Sequence, residues 1–77
     1  MKTRKLETFE DLQMALEIGH RVERYSPNPS EGTYGGEVVG TCYLSGVPAV
    51  HILSVSGNIS NYSFAPANDN YSFYEVY

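Results

Sequence analysis

A chain of 77 residues allows one domain, spanning 1–77, that buries only about 60% of its unfolded surface, so its stability margin is thin. The formal charge of −4, from five basic and nine acidic residues, leaves no basic stripe for phosphate neutralisation and excludes direct nucleic-acid binding. A lone cysteine, Cys42, excludes an intramolecular disulfide, and without a long apolar run no signal peptide or membrane helix is expected, which points to a reducing cytoplasm.

Residues 1–7 read as a polar entry with three basic residues and one apolar anchor, Leu6, or equally as an edge strand. Thr8 has the marks of a helix N-cap: its hydroxyl can accept from the first turn, Asp11 stands three residues on, and Glu10 and Asp11 suit the positive end of the helix dipole. Phe9, Leu12, Ala15, Leu16 and Ile18 recur at helical spacing, with Met14 at the margin of the stripe. Gly19 then provides a left-handed stop, giving an amphipathic helix of about three turns. From His20 to Tyr25 the chain alternates as a strand does, with Val22 and His20 inward and Arg21 and Arg24 outward or at an edge. Ser26 to Gly36 holds two prolines and three glycines and reads as a long spacer or binding loop. No Lys-Ser or Lys-Thr follows its glycines, so a phosphate cradle is not indicated.

The centre of the chain is a hairpin, with arms Glu37–Leu44 and Val47–Val55 joined by the two-residue turn Ser45-Gly46. Gly40 marks a bend, and Pro48, which cannot donate to a ladder, marks an edge or a bulge near the start of its strand. Ile59–Phe64 and Tyr71–Tyr77, separated by the turn-rich stretch 65–70, extend the hairpin into a meander of four antiparallel strands. The expected fold class is α+β, with one N-terminal amphipathic helix packed on an antiparallel sheet of about four to five strands.

The only internal repetition is Asn61-Tyr62-Ser63-Phe64, which returns as Asn70-Tyr71-Ser72-Phe73. As antiparallel neighbours the two copies would set their aromatic rings side by side. Seven tyrosines exceed what so small a core can bury, and tyrosine suits interfaces because it offers large area and a hydroxyl at low entropic cost. Tyr34, Tyr62, Tyr71, Tyr74 and Tyr77 are therefore the candidate binding residues, joined by Arg21 and Arg24, all five basic residues lying in the first 24 positions.

Catalysis finds little to work with. His20, His51 and Cys42 have neither nucleophile nor metal-ligand spacing, so no enzyme activity, metal or cofactor is expected. The run from Thr8 to Val22 is similar in layout to the opening helix, glycine and strand of small, acidic, motif-free proteins of bacteriophages and mobile elements, the anti-CRISPR and other anti-defence proteins among them. That resemblance implies stoichiometric binding and inhibition of a host protein. Two alternatives stand beside it: a nucleotide or small-ligand sequestering protein that stacks its ligand on tyrosines, or an accessory subunit. A chain this short also gains from self-association, so a homo-oligomer is compatible with any of these readings.

Overall fold

The computed structural model describes residues 2–26, 29–64 and 71–77. Its elements in chain order are β1 (Thr3–Leu6), α1 (Phe9–Glu17), β2 (Arg21–Ser26), β3 (Thr33–Leu44), β4 (Val47–Leu53), β5 (Ile59–Ser63) and β6 (Ser72–Val76). The fold is α+β, one helix on a six-stranded antiparallel sheet ordered β1-β6-β2-β3-β4-β5. The sheet is wider than the expected four to five strands because the polar segment before the helix pairs as β1 along β6.

The helix ends form as their side chains dictate. The Asp11 N–H donates to Thr8 Oγ1 at 3.1 Å, which satisfies one of the free donors of the first turn. At the far end Gly19 adopts φ +86° while the His20 and Gly19 N–H groups reach the Ala15 and Leu16 carbonyls, a Schellman closure. Leu12 and Ala15 are buried, and Phe9 and Leu16 lie against the core. Ile18 departs from the expected stripe: as the helix C-cap it is 62% exposed, because the stripe turns away from the sheet one residue before the glycine.

The central hairpin forms with the expected turn, Ser45 and Gly46 both having positive φ (52° and 80°), the combination that matches strand twist in a two-residue connection. Pro48 sits opposite Tyr43, and its carbonyl accepts the Phe64 N–H at 2.9 Å. A strand residue points its N–H and C=O to the same side, so the missing donor faces the end of β5 and costs the β3–β4 ladder nothing.

Three expectations are corrected. The meander stops at β5, and β6 leaves it to lie between β1 and β2. Burial explains the choice: β6 contributes Phe73, Glu75 and Val76 to the interior and needs a neighbour on each side, whereas β5 is exposed along its whole length and accepts an edge. The long loop is also shorter than expected, since Thr33 to Gly36 pair with β2 as the start of β3. Residues 27 and 28 of that loop, and the turn at 65–70, lie outside the described residues. Finally, Arg24 points inward, as described below.

Register assigns the faces. Leu6, Phe73, Val22, Val38, Val50 and Ile52 join Leu12 and Ala15 of the helix in one core, so these positions mark the helix face. Lys5, Tyr74, Glu23, Glu37, Leu53 and Ile59 stand opposite one another across all six strands on the other face. Among the described residues α1 is the one helix, and it lies on the other side, so no described helix covers this second face.

At the rim of the helix face Glu75 is 3% exposed. His20 Nδ1–H and Arg4 Nε–H donate to its two oxygens at 2.6 and 3.0 Å. Burial works against its charge, but the hydrogen bonds from His20 and Arg4 outweigh it and hold the carboxyl below its ordinary value. The stabilisation is present above the carboxylate's unfolded pKa and is lost as pH falls through the lowered folded one. Glu75→Gln is expected to cost about 1.5–3 kcal/mol at neutral pH, the range for hydrogen bonds to a charged group. In urea titrations the gap to the parent should close as pH falls below the carboxylate range; a gap independent of pH would mean that shape, not charge, holds the site.

Candidate functional site

The seven residues expected to form one binding surface are divided between the two faces. Arg24, Tyr62 and Tyr71 meet on the helix face, Arg21, Tyr34 and Tyr74 occupy the open face, and Tyr77 stands apart, its ring stacked on His20 with centroids 5.1 Å apart.

On the helix face, Arg24 lies opposite Phe73 in the β2–β6 register and is only 8% exposed. Its guanidinium carbon is 4.2 Å from the Tyr62 ring centre and 4.4 Å from that of Tyr71, between the two rings, while its Nε–H donates to the Gly35 carbonyl at 3.1 Å. Phe64 and Phe73 stack beside it with centroids 5.2 Å apart. The expectation that the two Asn-Tyr-Ser-Phe copies are ladder neighbours is corrected, yet their aromatic residues do meet: the curled sheet brings β5 across the helix face toward β6, where Phe64 meets Phe73 and Tyr62 and Tyr71 share Arg24. Outward placement of Arg24 fails because delocalised charge on a flat group is weakly hydrated and can be buried between aromatic faces.

Gly35 makes room for this stack. A Cβ there would lie 2.8 Å from Arg24 Nε and 2.8 Å from Tyr71 Cε1. Together with Gly36 it forms an irregularity in β3, because β2 pairs Glu23 with Glu37 and Tyr25 with Tyr34, leaving one residue of β2 opposite two of β3. The glycine pair read as loop is a bulge in the sheet.

On the open face Tyr25 packs edge to face against both Tyr34 and Tyr74, with centroids 5.4 and 6.2 Å apart. Tyr25 was not among the expected residues; the signal that could have found it is its i, i+2 spacing from Glu23 on one strand face. Its hydroxyl donates to Glu23 Oε1 at 2.8 Å, and Arg21 Nη2 donates to the other Glu23 oxygen. Glu23 is 5% exposed although no described helix lies on its face. The hydrogen bond and charge of Glu23 raise the Arg21 pKa. Loss of water contact comes first in raising the Tyr25 and Tyr34 phenols, followed for Tyr25 by its bond to Glu23 and for Tyr34 by the charges of Glu23 and Glu37. Both phenols therefore stay neutral at physiological pH. The result is a patch of three oriented rings around a fixed ion pair, with Glu37 at its border.

His20 and His51 are separately engaged, the first with Glu75 and the second with Asn61, whose Oδ1 lies 2.5 Å from His51 Nδ1. Cys42 is half-buried. Among the described residues no group of three or more His, Cys, Asp or Glu could hold a metal ion, and no helix is long and apolar enough to cross a membrane. A groove of about 530 Å³ between α1 and β3 is lined by Gln13, Leu16, Glu17, Val39, Gly40 and Thr41, and neither candidate arginine reaches it. No protein-family model, curated protein or solved structure matches the chain.

Proposed function

We propose that this protein acts by stoichiometric binding, not catalysis, as an inhibitor of the anti-defence type encoded by a phage or mobile element, and that a host protein docks on the open face of its sheet. The observation that carries the reading is the Tyr25, Tyr34 and Tyr74 array, held edge to face on a sheet face that no described helix covers. Such rings offer contact area whose entropy has already been spent in ordering, and their hydroxyls supply hydrogen bonds at the contact. Glu37, part-buried at the border of the patch, suits a partner that brings lysine or arginine to it. The sequestering alternative draws less support, because both guanidiniums that would hold a phosphate are engaged within the chain, Arg21 by Glu23 and Arg24 by two tyrosines and Gly35.

Tyr34→Ala and Tyr74→Ala are each expected to weaken partner binding about tenfold or more, as anchors at the centre of an interface do. Tyr43→Ala, on the helix face, should leave binding unchanged. Binding is to be measured by calorimetry against the host protein recovered with the parent chain, with circular dichroism confirming that each variant is folded. Parent-like affinity in both Tyr34→Ala and Tyr74→Ala would remove the open face as the docking site.

A further inference from the structure

β5 is an edge strand exposed at every one of its five residues. The backbone pattern shows which groups it offers. The Phe64 N–H reaches Pro48 and the Asn58 carbonyl accepts from Ser54, so even-numbered residues of this segment address β4. The N–H and C=O groups of Ile59, Asn61 and Ser63 therefore point outward along the free edge.

Natural sheets protect such edges with charge, proline or a covering segment. The opposite edge follows that rule: in β1, two copies pairing antiparallel would set Arg4 against Lys5 of the other copy. β5, Ile59-Ser60-Asn61-Tyr62-Ser63, has neither charge nor proline. Moreover, between Glu37 and Asp69 the sequence contains no Asp, Glu, Lys or Arg at all, so the −4 charge of the chain lies elsewhere and does not oppose contact along this edge.

We propose that β5 pairs antiparallel with β5 of a second copy, on a two-fold axis through Asn61, joining two sheets into one. In this register Asn61 faces Asn61, Ile59 faces Ser63, and Ser60 faces Tyr62. The three outward-pointing residues all fall in hydrogen-bonded pairs, each of which exchanges two hydrogen bonds. No like charges meet, and exposed Ile59 gains a cross-strand neighbour. A small domain with one core and no disulfide is the kind that gains most from such pairing. The inference is independent of the open-face site, and the two can fail separately.

Light scattering coupled to size exclusion, on the purified chain alone, tests it. The parent is expected at twice the chain mass of 8.6 kDa. Asn61→Pro removes an N–H that faces away from β4, so it should leave the fold intact while returning the protein to monomer. Asn61→Lys, which sets two lysines at the axis, should do the same and serves if the proline variant does not fold. Hydrogen exchange should show the Ile59, Asn61 and Ser63 amides slowed in the parent and fast in the folded monomeric variant, while Tyr34→Ala and Tyr74→Ala keep the dimer mass. A parent that stays monomeric at every soluble concentration would overturn the proposal. So would a dimer that survives both Asn61 changes, or an edge slowed in exchange only when the host protein is added, which would assign β5 to that partner.

Discussion

Replacing Gly36 by alanine is expected to destabilise the protein by roughly 3 kcal/mol or more, close to the whole margin of about 3–5 kcal/mol that one core of this size supplies. Two effects add. The backbone at Gly36 has φ +108°, a region that side-chain-bearing residues rarely adopt. A Cβ there would also lie 2.5 Å from Ile52 Cγ2 and 2.8 Å from the Leu53 carbonyl oxygen. The first neighbour is a buried core side chain and the second is backbone of the adjacent strand, so neither can yield cheaply. Gly46→Ala separates the two effects, since Gly46 also has positive φ (80°) but meets nothing within 4 Å. It should cost only about 1–2 kcal/mol, the penalty of a left-handed residue. Equal midpoints for the two variants in urea unfolding would show that the β3–β4 contact is looser than described.

Arg24→Ala is expected to cost about 3 kcal/mol, since a desolvated cation over a ring contributes up to ~2 kcal/mol, two rings share this one, and the bond to Gly35 is lost with it. The cost arises on the helix face, where Tyr62 and Tyr71 would close on a void or collapse toward Phe64 and Phe73. Arg24→Lys should recover less than half of the loss. A compact ammonium has no flat surface for two rings and cannot hold both while donating to the Gly35 carbonyl. Urea unfolding of the three proteins decides it. Full rescue by lysine would mean that charge alone matters at this position, and a cost below 1 kcal/mol in Arg24→Ala would mean that the stack contributes little to stability.

These two predictions rest on residues whose roles were not legible in the chain. Gly35 and Gly36 look like loop glycines beside Pro27 and Pro29, and Arg24 looks like an outward strand residue. Alternation within a strand tells which residues share a face but not what stands over that face. Once β5 curls toward β6, an arginine on the core side has two tyrosines to lie between, and the strand opposite needs residues without side chains to let it pass. The same limit divides the candidate site. Tyr34, Tyr62, Tyr71, Tyr74 and Tyr77 were recognisable as more aromatic surface than a core can hold, but their separation into an inner clamp, an outer patch and a lone stack on His20 follows from strand order.

What the sequence determined by itself is local. Thr8 and Gly19 bound the helix, Ser45 and Gly46 set the register of the central hairpin, and the absence of charge between Glu37 and Asp69 leaves the β5 edge open. Each depends on contacts within a few residues or on composition, so a short window holds all the information. The tertiary structure alone decided that β6 inserts between β1 and β2 and that Arg24 is buried. Strand partners are chosen by the apolar surface that each arrangement removes from water over the whole chain, and no window of sequence contains that sum.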